Sequence, residues 1–221
     1  MAGSLAHSDR PAAVRRLLDA LAETLRAAAA SEASAAAPLD DFARRVQAIG
    51  TAAPATPAPP ERLAVCRVWD DALRAAPGAL AGPVAALGPW LSWTQNPNYR
   101  RRPPDPTFLD NYGYAVIAGP ADGPPALVSA PDVALGVLLL GPGAYYPLHA
   151  HPAVEVYVTL TGDGEWWREP GPWRREAAGA AIYHAPNARH ATRAGASPLL
   201  AIYLWRGDLA THATLTAGVK E

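Results

Sequence analysis

The sequence predicts an α+β fold in which a helical N-terminal segment precedes a C-terminal antiparallel β-sandwich or jelly roll. In the first part of the chain, apolar side chains recur every three or four residues, as they do on one face of a helix. From about Tyr112 the apolar period changes to two, and glycine and proline punctuate the sequence roughly every ten residues. Many short strands with turn signals are typical of sandwiches and jelly rolls. We place a helical region at residues 1–104 and the β-region at residues 105–221.

The helical region divides at its proline and glycine residues. A first helix is predicted over residues 11–36 and a second, shorter one over residues 40–49. The proline-rich segment 51–60 can form neither a helix nor a central strand, so it predicts a stiff connector. After this connector the helical spacing of apolar residues returns twice, over residues 61–76 and 79–91.

The β-region is predicted as a series of short strands bounded by turn-forming residues. Side chains alternate between the two faces of each strand, so one set of residues is expected to line the interior of the sandwich. The predicted strands lie at residues 112–118, 126–130, 133–140, 153–161, 164–168, 173–177, 181–184, 189–194 and 198–205.

Composition narrows the classes of function. Half of the chain is hydrophobic, 18% is charged and the net charge is −1, so the chain is expected to fold and to bind neither nucleic acid nor a membrane. The single cysteine, Cys66, excludes an intrachain disulfide. Residues 1–10 carry no hydrophobic signal core and no long apolar run follows them, which predicts a cytoplasmic protein.

The segment from Gly143 to Gly162 contains the residues with the clearest chemistry. His149, His151, Glu155 and Tyr157 all have odd numbers. If they lie on one strand, alternation predicts that they point the same way. Two imidazoles and a carboxylate on one face form half of a mixed nitrogen and oxygen site for a divalent transition metal.

A second segment, Gly179 to His190, supplies a fourth candidate ligand in His190. The spacing of the two segments together resembles the two-part signature of the cupin superfamily, which implies a double-stranded β-helix, or cupin barrel. Three residues depart from the usual pattern, and none of them is a metal ligand. Asn187 stands where glycine is usual, and asparagine tolerates the left-handed backbone that this turn requires. The other two departures are Ala185 and Ala194.

The resemblance is closer to one group of cupins, the dimethylsulfoniopropionate lyase-like group. Tyr146, Tyr157 and Trp205 carry it, with the Asn111-Tyr-Gly-Tyr segment, and it covers roughly residues 105–215. It implies that Tyr146 and Tyr157 take part in substrate binding and proton abstraction. The ligands that the resemblance implies for one divalent metal are His149, His151, Glu155 and His190.

Three imidazoles and one carboxylate leave two positions open on an octahedral metal, where water or a substrate carboxylate can bind. The ligand set suits Fe, Mn, Zn, Ni or Co, and the sequence does not choose among them. Tyr157 would lie about 6–7 Å from Glu155 along a strand. A free tyrosine has a pKa of about 10, and a nearby cation lowers it, so the metal could make Tyr157 a competent base. The alternative is that Tyr157 has no catalytic role and only packs at the mouth of the barrel.

Aromatic residues on the last predicted strand complete the candidate site. Trp205 and Tyr203 are expected on one face, where aromatic walls would favour a cationic ligand such as a sulfonium or a quaternary ammonium. Packing in the core explains these two residues equally well. His184 lies off the motif, and we interpret it as a supporting or structural residue rather than a ligand.

Together these features predict a metal-dependent lyase. The resemblance implies cleavage of dimethylsulfoniopropionate, or of a related small carboxylate, by β-elimination to dimethyl sulfide and acrylate. Tyr157 is the first candidate for the base and Tyr146 the second. Two other functions stay open: an Fe(II)-dependent cupin dioxygenase, and a cupin that binds a small molecule without turnover. The oligomeric state is also open, and a homodimer is compatible with the sequence.

Overall fold

The computed structural model describes residues 9–54 and 58–216. The predictions made for residues 1–8, for the middle of the 51–60 connector and for residues 217–221 therefore lie outside the described residues. The described helices are α1 (Arg10–Ser31), α2 (Ala36–Ala48), α3 (Trp69–Arg74), α4 (Ala81–Leu87) and α5 (Pro97–Arg101). Short 3₁₀ helices occupy Ala64–Val68, Gly88–Trp90 and Phe108–Asp110.

The strands form two facing sheets, so the predicted α+β architecture with a β-sandwich is confirmed. The strands are β1 (Trp93–Thr94), β2 (Tyr112–Gly119), β3 (Ala126–Ser129), β4 (Ala134–Leu140), β5 (Tyr145–Ala150), β6 (Val154–Thr159), β7 (Glu165–Arg168), β8 (Arg174–Arg175), β9 (Ala181–His184), β10 (His190–Arg193), β11 (Leu199–Arg206) and β12 (Thr214–Leu215). Seven strands form one sheet in the order β1-β2-β4-β11-β6-β9, with β3 beside β2. The other sheet has the order β12-β5-β10-β7-β8.

Strand pairing is antiparallel in both sheets except that β3 runs parallel to β2. Neighbours in sequence, such as β5 and β6, belong to opposite sheets, and the chain crosses between the sheets repeatedly. This arrangement is the double-stranded β-helix that the cupin-like spacing implied. It closes a space between the sheets into which side chains from both of them point.

The helices pack on the outer face of the seven-stranded sheet. Along β11, Leu200, Ile202 and Leu204 are fully buried and join one hydrophobic core with the helical side chains. The intervening residues point into the barrel, among them Tyr203 and Trp205. Both faces of this sheet are therefore covered, which explains why its strands are apolar at nearly every position.

The predicted helix boundaries were wrong in two places. Helix α1 ends at Ser31, where Glu32 leaves the helical conformation, and α2 starts at Ala36 rather than at residue 40. Pro38 lies in the first turn of α2, where its missing N–H breaks no intrahelical hydrogen bond. The segment between the two helices contains no glycine or proline that would end a helix. The turn is therefore set by packing, because Leu39 and Phe42 are buried in the core shared with α1.

Other short elements were missed. Residues 61–63 are not helical, and the helix predicted over 61–76 is a 3₁₀ turn followed by α3. Strands β1, β5 and β12 and helix α5 were not predicted as elements, and β1 lies inside the region that was assigned to helices. A two-residue strand is defined only by its pairing with another strand, as Trp93 of β1 pairs with Ala115 of β2. The local sequence therefore carries little signal for such strands.

Within residues 9–54 and 58–216, no helix has the length and apolar character needed to cross a membrane.

Candidate metal centre and cavity

The candidate ligands come from both sheets rather than from one strand. His149 lies on β5 in the five-stranded sheet, whereas Glu155 and Tyr157 lie on β6 in the seven-stranded sheet. His151 follows the end of β5, in the turn between the two strands. The prediction that these four residues share one face of one strand is therefore wrong. They approach one another because the chain crosses the barrel between β5 and β6, so that the two sheets face each other.

The second segment joins the first through strand pairing. His190 on β10 is the cross-strand partner of His149 on β5. Ahead of it, Asn187 has φ of 61°, which confirms the left-handed turn expected at this position. The backbone N–H of Asn187 donates to the carbonyl oxygen of His151 at 2.8 Å. Asn187 therefore adopts the left-handed conformation in which glycine is usual at this position. Its hydrogen bond holds the turn that contains His151 against the loop that leads into β10 and His190.

Glu155 lies at the centre of the cluster and is completely buried. Its Oε2 atom is 3.2 Å from His151 Nε2, 3.1 Å from His190 Nε2 and 2.9 Å from His184 Nδ1. Its Oε1 atom accepts a hydrogen bond of 2.5 Å from the indole Nε1–H of Trp205. Both carboxylate oxygens are therefore held in place, and four side chains, three from different strands and one from the turn after β5, meet at one carboxylate.

The three predicted histidine ligands share one backbone contact. In each of them Nδ1 faces a main-chain carbonyl: that of Pro147 at 2.8 Å for His149, of Ala153 at 3.0 Å for His151, and of Ala188 at 2.9 Å for His190. A carbonyl accepts, so Nδ1 carries the proton and the neutral ring keeps its lone pair on Nε2. Histidines that bind metals commonly use this arrangement, which fixes the orientation of the ring.

This arrangement fits a cation. The lone pairs of His151 and His190 on Nε2 converge on the acceptor Oε2 of Glu155, and such acceptors repel unless a proton or a metal ion lies between them. His190 Nε2 is buried and, among the described residues, makes no hydrogen bond of acceptable geometry, although it lies 3.1 Å from the carboxylate. His151, Glu155 and His190 each offer one ligand atom, and these atoms all lie within 4.8 Å of one another. They form a group that could hold a metal.

His149 lies beside this group rather than within it. Its ring centroid is 4.1 Å from that of His190 and 6.3 Å from that of His151. The His149 ring stacks on that of Tyr146, with centroids 4.0 Å apart and planes 10° apart. As a fourth ligand, His149 stays a prediction that rests on spacing and on its buried position next to His190.

Burial and mutual charge control the protonation of the cluster. Burial raises the pKa of the Glu155 carboxyl, but the neighbouring imidazoles of His151 and His184 outweigh it, and the net pKa lies well below the usual value. Burial together with the nearby His190 lowers the pKa of His149 well below its ordinary value. The same two causes lower the pKa of His184 to about 3. The carboxylate is therefore ionised and these two imidazoles are neutral, the forms in which such groups bind metals.

A cavity opens next to Glu155 on the inner face of the seven-stranded sheet, with an empty volume of about 730 Å³ including its open mouth. Its wall is mainly aromatic and apolar, and Glu155 is its acidic residue. All four predicted tyrosine and tryptophan residues line it. Those residues are Tyr146, Tyr157, Tyr203 and Trp205.

Tyr157 packs between Trp166 and His184, with ring centroids 4.9 Å and 5.9 Å away. Burial and the nearby Glu155 carboxylate raise the pKa of Tyr157 well above 10. Burial and neighbouring tyrosines raise the pKa of Tyr146 in the same way. Neither phenol ionises unaided at neutral pH, so a basic role for either requires a cation nearby.

Tyr203 and Trp205 lie on β11 opposite Tyr157 and Glu155, their cross-strand partners on β6. The Trp205 ring also lies against His151, with centroids 4.1 Å apart. Trp205 therefore contacts the candidate metal ligands directly, as well as lining the cavity. This hydrogen-bonding role toward Glu155 was not predicted from the sequence.

Several further cavity residues were missed by sequence reasoning. Tyr112 and Tyr114 line the cavity from β2, and their spacing of two in the Asn111-Tyr-Gly-Tyr segment is the signal that could have found them. Tyr99 on α5 lies behind this wall, against the lining residue Tyr146, and has no such signal. Its hydroxyl lies 3.3 Å from that of Tyr146, and its ring is fully buried against that of Tyr146. His212 and Asn96 also line the cavity, from loops brought there by tertiary packing.

Known proteins resemble this chain along most of its length. The family model described as dimethylsulfoniopropionate lyase matches residues 39–201. A curated relative, the dimethylsulfoniopropionate lyase DddQ of Ruegeria pomeroyi, is 38% identical over 109 residues, which cover 49% of this chain and 52% of that protein. The alignment thus spans about half the length of this relative.

Solved structures share the fold. The crystal structure of DddQ from Ruegeria pomeroyi has a TM-score of 0.68 and 27% identity, covering 92% of this chain and 100% of that one. A chain from the crystal structures of the dimethylsulfoniopropionate lyases RdDddP and RnDddQII has a TM-score of 0.69 and 22% identity, covering 93% and 98%. This second likeness shows the fold alone.

Proposed function

The chain belongs to the dimethylsulfoniopropionate lyase family, and we propose that it is a metal-dependent lyase. Its proposed substrate is dimethylsulfoniopropionate or a related small carboxylate with a cationic β-substituent. The proposed reaction is a β-elimination that releases acrylate and, from the sulfonium, dimethyl sulfide. The observation that carries the proposal is the aromatic cavity that opens directly onto Glu155, beside His151 and His190.

His151, Glu155 and His190, with His149 beside them, would hold one divalent transition metal. When bound, such an ion binds and polarises a substrate carboxylate, which acidifies the proton on the α-carbon. The donor set of imidazoles and one carboxylate suits Fe, Mn, Zn, Ni or Co. The elimination changes no oxidation state and consumes no O₂.

Tyr157 is the proposed base. It lies in the cavity wall next to Glu155, and its phenolate oxygen would take the proton from the α-carbon. The electron pair of the broken C–H bond then forms the double bond between the α- and β-carbons. The C–S bond breaks, and dimethyl sulfide leaves with the electron pair of that bond. The raised pKa of Tyr157 means that this role depends on positive charge in the site.

Tyr203 and Trp205 are proposed to face the cationic end of the substrate. The faces of aromatic rings attract a sulfonium through the ring quadrupole, by about 0.5–2 kcal/mol in proteins. Tyr146 is held by its stack on His149 and by the Tyr99 hydroxyl, so its own hydroxyl has a fixed position in the cavity wall. That position supports a role in substrate orientation, or as the second candidate for the base.

The test is turnover by protein loaded separately with each candidate metal. Dimethyl sulfide in the gas phase and acrylate in solution should both appear from dimethylsulfoniopropionate, and both should disappear after chelation. Oxygen uptake that requires Fe(II) would instead support a dioxygenase. Tight binding of the compound by fully loaded protein, without product, would support a binding protein. Either of these last two outcomes contradicts the lyase.

A further inference from the structure

His184 is the fourth buried histidine of the cluster, and it differs from the three candidate ligands in which way its Nδ1 atom points. In the other three rings, Nδ1 faces a backbone carbonyl. In His184, Nδ1 lies 2.9 Å from Glu155 Oε2 instead. A carboxylate oxygen only accepts, so this nitrogen is the donor, and its lone pair is not directed at the centre.

The position of His184 keeps it out of the substrate cavity. Glu155 lines the aromatic cavity, whereas His184 lines a separate, polar cavity with Trp166 and Arg168 on its wall. Among the described residues, the two cavities share no lining residue. His184 therefore forms part of the partition behind the carboxylate, where its ring packs against those of His190 and Tyr157, so any effect on the reaction must pass through Glu155, His190 or Tyr157.

Strand pairing places His184 there. His184 on β9 is the cross-strand partner of Glu155 on β6, so the hydrogen bond joins two neighbouring strands of a rigid sheet. The His184 ring also stacks on that of His190, with centroids 3.9 Å apart and planes 16° apart. On the other side of the carboxylate, Trp205 donates to Oε1. The two donors hold the two oxygens separately and fix the rotation of the carboxylate plane.

We propose that His184 is a positioning residue that orients Glu155 for the metal by donating from Nδ1 to Oε2. This inference rests on the proposed metal site. A donor that fixes a ligating carboxylate commonly changes metal affinity by about 10- to 100-fold when it is removed. Without His184, only the hydrogen bond from Trp205 would hold the carboxylate, and its plane would be free to rotate. The metal would then lose a preorganised oxygen ligand.

Three substitutions separate the hydrogen bond from the ring stack. His184→Asn keeps a side-chain N–H donor near the position of Nδ1 but removes the ring. His184→Phe keeps a ring to stack on His190 but removes the donor. His184→Leu has nearly the shape of the Asn variant and removes both features. The unfolding midpoint of each metal-free variant shows that the protein is folded and how far the substitution alone destabilises it.

The measurements are the dissociation constants of Zn²⁺ and Co²⁺, by competition with a chelator, and the absorption spectrum of the Co²⁺ form. We expect His184→Asn to bind within about threefold of the unchanged protein, and the Phe and Leu variants about 10- to 100-fold more weakly with an altered Co²⁺ spectrum. Equal affinity in the Phe variant, or equally weak binding by the Asn and Leu variants, would overturn the proposal. Substrate is absent from this assay. If the metal affinities follow this pattern but the protein cleaves no dimethylsulfoniopropionate, the result contradicts the proposed reaction and leaves the role of His184 intact.

Discussion

The two faces of the seven-stranded sheet use burial in opposite ways. On the outer face, Ile202 and its neighbours bury apolar side chains against the helices, and nothing there needs a partner beyond packing. On the inner face, Glu155 is buried as well, and the adjacent Tyr203 and Trp205 are partly buried beside it, so that this face encloses polar atoms together with aromatic rings. Burial stabilises the first set directly. For the second set it is costly unless each group is hydrogen-bonded or binds a cation.

The difference shows that one strand can contribute to stability with one of its faces and to the candidate site with the other. Residues of even number on β11 hold the sheet to the helices, whereas residues of odd number point into the barrel, where Tyr203 and Trp205 reach the candidate site. Substitutions on the outer face should therefore lower the free energy of unfolding, and substitutions on the inner face should lower metal affinity or turnover.

The largest effect is expected from His190→Ala. The buried Nε2 of His190 points at Glu155 and belongs to the group whose ligand atoms lie within 4.8 Å of one another. Its removal should weaken metal binding by more than about 100-fold, beyond the effect of losing a supporting residue, and should abolish turnover. Metal content after dialysis, with elemental analysis, measures this. His149→Ala should lose metal less completely, because His149 lies outside that group. Full metal occupancy in both variants would contradict the site.

Tyr157→Phe should lower kcat by about 10²–10⁴-fold, the usual contribution of a residue that transfers a proton. The substitution removes only a hydroxyl, so the packing on Trp166 and the metal content should hardly change. Steady-state release of acrylate by protein of known metal content measures the effect. Undiminished turnover would transfer the role of base to Tyr146 or to a metal-bound hydroxide.

Ile202→Ala tests the outer face. Ile202 is fully buried in the core shared with the helices, so its truncation should lower the free energy of unfolding by about 2–5 kcal/mol. Below the unfolding transition, the affinity for metal should stay unchanged. Urea denaturation and chelator competition on the same preparation measure the two quantities. A loss of metal affinity comparable to that of His190→Ala would show that the two faces are not independent.

Tyr203→Leu tests the neighbouring residue on the inner face and carries the smallest expected effect. Loss of the ring should raise KM about two- to fivefold, because an aromatic contact with a cation contributes about 0.5–1 kcal/mol at an accessible site. The matched measurement is inhibition by a neutral carboxylate of similar shape, which should change little. An equal change for both compounds would assign Tyr203 to packing rather than to recognition of the charge.

The sequence predicted the residues of the site better than it predicted their geometry. The spacing from Gly143 to Gly162 and from Gly179 to His190 pointed to His151, Glu155 and His190, whose ligand atoms lie within 4.8 Å of one another, whereas His149 lies beside this group and stays a prediction. The reason first given for Glu155 and Tyr157, a strand face shared with His149, was wrong because strand alternation holds only within a strand. The turn through His151 starts a new strand in the opposite sheet.

Residues without a local pattern were not found. Tyr99, in a short helix of the N-terminal region, contacts the cavity residue Tyr146 only because that helix packs against the barrel. His184 was predicted to be a supporting or structural residue rather than a ligand, and its pairing with Glu155 depends on the register between β9 and β6. Strand register is set by long-range hydrogen bonding and packing, which a single segment of sequence does not contain.

The sequence by itself determined the chemical types present: imidazoles, one carboxylate, tyrosines and a tryptophan, at spacings that local backbone conformations such as the Asn187 turn can realise. It also determined the change from helical to strand periodicity, because side-chain period follows directly from backbone geometry. The tertiary structure alone decided that Glu155 faces His190 across the barrel and that His184 and Trp205 each hold one of its oxygens. Those contacts join residues 29 to 50 positions apart, and only the closing of two sheets over a common interior brings them within hydrogen-bonding distance.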